Sequence, residues 1–301
     1  VRMYFLGFID ALMTGKIKNE VCVGINSYSM EWDSLARHLS QHGKHVIAGD
    51  FSNFDGSLLQ EILWEICTII NDWYDDGAEN ARIRDVLFSE IANSFSLVNG
   101  VIIQKTHSQP SGNPLTVVVN SMFNQIVMRM AYLILKKEQD LPFTCDFTEN
   151  VALATYGDDN SANISERVLS WYNQATITRA LATFGLTYTD EAKSGKVVEC
   201  RSLDDINFLK RSFRENDDGI FVAPLDINVV RDMTNWVRGP QIIASTEDNI
   251  KGALMEFALH GKEVYQSESK KLKLVRDAHE LKVKIPSYAE WEDFYAAQRN
   301  Q

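Results

Sequence analysis

In the stretch "ATYGDDNSANI" (residues 154–164), Asp158 and Asp159 stand side by side behind Gly157, between two runs with strand character. Alone, the four residues Tyr156-Gly157-Asp158-Asp159 read as a type I′-like hairpin turn with solvated acids. A third carboxylate opens a chemical reading. Asp50 ends the apolar run "HVIAGD", so a buried strand presents an acid at its end much as the hairpin does. If those strands are neighbours, three carboxylates converge. Such a cluster repels itself unless cations neutralise it, and hard oxygen ligands of that charge suit Mg²⁺ or Mn²⁺ rather than zinc. Two such ions held roughly 3.5–4 Å apart serve in-line phosphoryl transfer, one activating the attacking hydroxyl and one stabilising the leaving pyrophosphate. The chemistry indicated is nucleotidyl transfer.

A second polar set sits on a predicted helix. Thr116, Asn120 and Asn124 follow i, i+4 spacing in "LTVVVNSMFNQIVMRM" and form one polar stripe on an otherwise apolar cylinder. Fixed donors and acceptors of this kind can read a hydroxyl, because a deoxy analogue leaves buried groups unpaired. The plain alternative is a satisfied core amide and a Thr that bonds its own backbone. Just upstream, Ser111-Gly112 lies in a loop rich in small and turn-forming residues, with Pro114 at or near the first helical turn.

The elements that must position these groups follow from periodicity. Helices are predicted over 1–14, 28–43, within 56–76 and near 78–93, with a hairpin turning at Asn99-Gly100. The long helix after Pro114 leads to the strands flanking Gly157-Asp158. One helix is expected over 166–185, closed by Gly185, then the strand "LTYTD". "INFLKRSFREN" and "GIFVAPLD" read as two strands about an Asn216–Gly219 turn, and the remainder is mostly helical. This mixture suggests an α+β sheet with helices packed on one face.

Composition narrows the class. The chain has 301 residues, 45% of them apolar, enough for a sizeable core. Its net charge of −11 means that any contact with nucleic acid needs a local basic surface. Cys22, Cys67, Cys145 and Cys200 are far apart, with no zinc-ligand spacing and no disulfide framework, which reads as a reduced, intracellular chain. The apolar stretches read as too short or too interrupted for a transmembrane segment, and no signal or transit pattern is present. The opening "VRMYFLGFIDAL" reads as the middle of a helix, hence as a fragment of a longer polypeptide.

Five segments in order carry a resemblance. "DFSNFDGS" at 50–57, "SGNPLTVVVN" at 111–120, "YGDD" at 156–159, "EAKSG" at 191–195 and "FLKR" at 208–211 are similar to palm motifs A to E of positive-strand RNA virus RNA-directed RNA polymerases. The order and spacing resemble the picornavirus-like group, in particular its dicistrovirus and iflavirus relatives. "MYFLGFIDAL" and "VGINSYSMEWDSL" resemble the region before motif A. The basic fingers motif F that normally precedes this region is not found in the chain, nor is the index finger.

The resemblance implies a right-hand polymerase fold: an antiparallel palm sheet packed on helices, partial fingers and a mostly helical thumb. It implies partial fingers over 1–48, palm over 49–215 with a fingers insertion near 65–107, and thumb over 216–301. Asp50 and Asp158 would be the principal ligands of two Mg²⁺ ions, with Mn²⁺ an alternative and Asp159 an accessory. Asp55 would read the ribose 2′-hydroxyl with Ser111, Thr116 and Asn120, and Gly112 would shape the mobile loop contacting template and nucleotide. Lys193 would protonate the leaving pyrophosphate. Lys210 and Arg211 would meet nascent-strand phosphates, and "KKLKLVRDAHELKVK", net +4 over 270–284, could line the exiting duplex. Implied partners are an RNA template, a nascent RNA strand, nucleoside triphosphates, a viral protein primer and other replication proteins. The implied place is the host cytoplasm, at membrane-associated replication complexes. Two other functions stay open: a reverse transcriptase-like polymerase, against which Asp55 and Asn120 stand where an aromatic steric gate is expected, and a catalytically incomplete RNA-binding palm fragment.

Overall fold

Val46-Ile47-Ala48 is apolar on both faces, as expected of a central strand, and the computed structural model places it there. The structure describes residues 1–106, 108–144, 146–192 and 198–299. These fall into two units, Val1–Ile25 with Arg37–Ile206, and Asn26–Ala36 with the residues from Asn207 onward.

The chain enters the first unit through α1 (Arg2–Gly15), which buries Phe5, Phe8 and Ile9. Helix α2 (Met30–His38) begins in the second unit and ends in the first. Strand β1 (Val46–Phe51) follows, then α3 (Gln60–Tyr74), α4 (Ala78–Ala92) and the hairpin β2 (Phe95–Val98) and β3 (Val101–Gln104), turning at Asn99-Gly100 as predicted. Helix α5 (Thr116–Glu138) and the short α6 (Phe147–Asn150) lead into β4 (Val151–Tyr156) and β5 (Asp159–Ile164). Short α7 (Glu166–Leu169), α8 (Gln174–Ala182) and β6 (Tyr188–Asp190) complete the unit's main elements.

The sheet order is β4-β5-β1-β6, antiparallel throughout. Its apolar core takes Ile47 and Phe51 from β1, Val151 and Leu153 from β4, and Ala162 and Ile164 from β5. These are alternate residues and so share one face, and α5 and α8 contribute Val119, Phe123, Ile177 and Leu181 to the same core. Helices therefore cover one face, as the mixture of predicted elements suggests. Among the described residues α5 alone is long and apolar enough to cross a membrane, longer than the apolar stretches suggested; most of it is buried inside the unit. Its entry is an Asn113 turn, whose side chain accepts the Leu115 N–H at 2.9 Å, and Pro114 lies just before the N-cap Leu115, near the first helical turn as expected.

The predicted helix over 166–185 is broken. Asn173 accepts the Thr176 N–H while the Thr176 hydroxyl accepts the Asn173 N–H, a reciprocal cap that starts α8 afresh.

In the second unit, "INFLKRSFREN" does not form one strand. It folds into the pair β7 (Asn207–Phe208) and β8 (Arg211–Ser212), and then β9 (Arg214–Glu215), which pairs with β10 (Phe221–Val222). Leu209 and Lys210 both have positive φ (54° and 61°), the type I′ pattern that turns the chain between β7 and β8. Helices α9 (Ile227–Met233), α10 (Ile242–Leu259), α11 (Lys262–Ala278) and α12 (Tyr288–Arg299) follow, around a core including Val230, Leu254, Phe257, Tyr265 and Trp291.

Candidate active site

The condition on which the carboxylate cluster depends is met: β1 and β5 are neighbours, with Gly49 opposite Asn160. Carried on by one residue, that register sets Asp50 against Asp159, with Asp158 in the adjoining turn. Asp50 is itself paired, through its backbone, with Thr189 of β6. Of the two loop residues between β4 and β5, Gly157 has φ 64° and Asp158 does not have a positive φ. That is the type II′ pattern, not the type I′ pattern expected from sequence, and glycine is the residue the first position requires.

Asp158 feels the charge of two other acids. Partial burial pushes the Asp158 carboxyl above the ordinary carboxylate value, and the charges of Asp50 and Asp55 push it further in the same direction. Asp55 lies in a single 3₁₀ turn, Phe54–Gly56, and accepts a hydrogen bond from Asn120 Nδ2 at 2.9 Å. The Asn120 Oδ1 atom is buried and has no partner. An acceptor left this way costs free energy unless a donor arrives, so beside Asp55 there is a group able to accept a hydrogen bond from water or from a ligand hydroxyl.

The rest of the predicted stripe divides. Thr116 donates to Pro110 O at 2.8 Å, tying down the 110–115 loop, and makes no hydrogen bond with Asp55 or Asn120. Ser111 and Gly112 are exposed on that loop. Asn124 donates to the Gly157 and Asp158 carbonyls at 3.1 and 3.2 Å. Ser121 Oγ accepts the Gly157 N–H at 2.8 Å and donates to Val117 O. The sequence stripe therefore grips the carboxylate turn as well as facing Asp55.

Lys193 and Cys145 lie outside the described residues. Lys210 is exposed at the tip of the β7–β8 turn. Arg211 is engaged within its own unit. Its guanidinium donates to both carboxylate oxygens of Glu256 at 3.0 and 2.8 Å, to Ala223 O at 2.6 Å and to the Tyr28 hydroxyl at 2.9 Å. Those are internal partners that compete with any phosphate. In the basic run over 270–284, Lys271, Arg276 and Lys284 are ion-paired to Glu268, Asp277 and Glu290.

Among the described residues no three acid, imidazole or thiol groups stand close enough to ligate one ion as they are. The donor chemistry nevertheless fits a hard divalent cation, since Asp158 feels the charge of both Asp50 and Asp55 and carboxylate oxygens are the ligands such ions prefer. Sequence reasoning passed over Ser121, Asn160 and Tyr188. The signal was β5 itself: "DNSANI" is polar, yet Asn160, Ser161 and Asn163 are fully buried, a combination that demands a hydrogen-bond network.

A family model described as viral RNA-dependent RNA polymerase matches residues 1–276. The replicase polyprotein of Acute bee paralysis virus (strain Rothamsted) is 43% identical over 279 residues, 89% of this chain and 15% of the relative. That of Drosophila C virus (strain EB) is also 43% identical over 279 residues, 88% of this chain and 16% of the relative. The solved structure of Sicinivirus 3Dpol RNA dependent RNA polymerase matches with a TM-score of 0.83 at 18% identity, over 100% of this chain and 60% of that one. At that identity the likeness is one of fold, the right-hand α+β architecture. The chain thus spans about a sixth of the curated relatives and three fifths of the solved one.

Proposed function

Because the chain belongs to the viral RNA-dependent RNA polymerase family, we propose that it carries the nucleotidyl-transfer centre of an enzyme that copies an RNA template to replicate a viral genome. The first unit is then palm with fingers segments, and the second a mostly helical thumb. The observation that supports this most is the Asp55–Asn120 pair, with its unpartnered Asn120 Oδ1, whose Asp55 acts with Asp50 on the charge of Asp158.

Asp50 and Asp158, with Asp159 beside them, would hold two Mg²⁺ ions or Mn²⁺ in their place, whose charge favours attack of a 3′-hydroxyl on an α-phosphate and departure of pyrophosphate. The chain's own groups place the substrate. Asp55 fixes Asn120 so that its carboxamide oxygen accepts a ribose hydroxyl. Thr116 holds the loop from which Ser111 and Gly112 contact nucleotide and template. Lys193 is assigned the protonation of pyrophosphate on family resemblance alone. Lys210, displayed on its turn, meets nascent-strand phosphate. The partners are RNA template and product, nucleoside triphosphates, a viral protein primer and other replication proteins, at membrane-associated complexes in the host cytoplasm.

The test is Mg²⁺-dependent extension of a primed RNA template by this chain, wild type beside Asp158→Asn. Ribonucleotide extension that Asp158→Asn abolishes supports the assignment. Extension that survives the substitution overturns it, and a preference for deoxyribonucleotides favours the reverse transcriptase-like alternative.

A further inference from the structure

Behind the carboxylate turn runs a line of buried polar side chains that substrate contact does not use. Tyr188 Oη on β6 donates to Asn160 Oδ1 on β5 at 2.7 Å. Asn160 Nδ2 donates to Asn124 Oδ1 on α5 at 3.0 Å. Asn124 Nδ2 donates to the carbonyls of Gly157 and Asp158. All three side chains are at most 1% exposed.

The polarity of this line is forced. Carbonyls of the turn can only accept, so Asn124 must aim its nitrogen at them, which leaves its oxygen for the Asn160 nitrogen. The Asn160 oxygen then needs a donor, and the Tyr188 hydroxyl supplies it. Strand β1 lies between β5 and β6, so Tyr188 reaches Asn160 across β1. It does so over Gly49: a Cβ there would lie 1.9 Å from the Tyr188 oxygen. Gly49 is the residue opposite Asn160 in the ladder. One strand, β6, therefore reaches both acids, Asp50 through its backbone pairing with Thr189 and Asp158 through the line that starts at Tyr188.

We propose that Tyr188, Asn160 and Asn124 are positioning residues that fix the Gly157–Asp158 turn and thereby set the affinity of the site for a divalent cation. The proposal rests on Asp158 being a ligand. Asp50 and Asp55 carry charge of the same sign as Asp158, so a turn free to move carries its carboxylate away from them. Two anchors on α5, Asn124 at the carbonyls and Ser121 at the Gly157 N–H, oppose that movement. The relay holds the first anchor in orientation.

Mn²⁺ binding to the chain, followed by the electron paramagnetic resonance of free Mn²⁺, tests this without relying on catalysis. Asp158→Asn should lose the binding. Asn124→Ala should weaken it about tenfold, as loss of a group that orients a ligand typically does, and Tyr188→Phe about threefold. Asn163→Ala is the control: it removes a buried amide bonded to Gly43 O and His45 O, outside the relay. It should lower thermal stability and leave Mn²⁺ affinity unchanged. Should Asn124→Ala fail to fold, Tyr188→Phe, which deletes one hydroxyl, decides the matter. Unchanged Mn²⁺ affinity in the folded relay variants, or an equal loss in Asn163→Ala, overturns the proposal. Binding that survives Asp158→Asn overturns the ligand assignment and the relay with it.

Discussion

On the proposed reading, Asn120 is the residue whose surroundings make the most specific demand on a substrate. One end of its amide is held by Asp55, and the other is a buried acceptor without a donor. A site built this way rejects an analogue that lacks the hydroxyl, because rejection follows from the unpaired group and not from size. Asn120→Ala should therefore lower the ribonucleotide over deoxyribonucleotide preference by about tenfold or more, measured as a ratio of kcat/KM values. An unchanged ratio removes Asn120 from ribose recognition. At this scale the sequence was informative where a residue's chemistry shows in its own spacing, as for Asp50 and the Thr116–Asn120–Asn124 stripe, whereas Asp55 stood out through the family resemblance. It was silent where meaning depends on a partner from another element. Nothing near Tyr188 in the chain says that its hydroxyl crosses β1 to Asn160, nor that Gly49 must lack a side chain to let it pass.

Elements were legible in proportion to how local their causes are. The β2–β3 hairpin follows from Asn99-Gly100, and the β4–β5 hairpin from a glycine between strand-like runs. The break between α7 and α8 was missed because apolar spacing runs on through Ser170–Asn173 while a side-chain cap interrupts it. Packing between elements also creates pH dependence. The His38 ring on α2 is partly buried and bonds Leu153 O on β4 at 3.0 Å, and burial holds its pKa below the ordinary 6.5. The unfolded chain then binds more protons than the folded one just below pH 6.5, so stability is full above that pH and declines as pH falls through it. His42 and His260, also lowered by burial, act in the same sense. His38→Gln keeps a donor for the carbonyl but cannot titrate. Urea unfolding at pH 7 and pH 5.5 should show a smaller loss for His38→Gln than for wild type, by up to about one proton's linkage. Equal losses exclude His38 as a source.

For the molecule as a whole the decisive quantity is where the few available cations lie in a chain of net charge −11. On the proposed reading, RNA affinity must come from particular Lys and Arg residues, since the average field repels phosphate. By sequence, Lys210 and Arg211 are equivalent neighbours. In the structure they are opposites: Lys210 is exposed on its turn, whereas Arg211 closes a buried pair with Glu256, whose side chain is 4% exposed, and packs over Tyr28 at 5.0 Å. Removing one partner of such a pair leaves a buried charge and costs about 3–5 kcal/mol, while removing both restores much of the loss. Arg211→Met should accordingly destabilise the protein by that amount, and Arg211→Met with Glu256→Leu by much less, with neither changing how steeply RNA affinity falls with salt. Lys210→Ala should leave stability within about 0.5 kcal/mol of wild type and reduce the slope of log affinity against log salt by about one. Paired measurements of urea unfolding and RNA binding across a salt series separate the two. If Arg211→Met lowers the salt slope at unchanged stability, Arg211 is a phosphate contact after all, and its bonds to Glu256 give way when RNA binds.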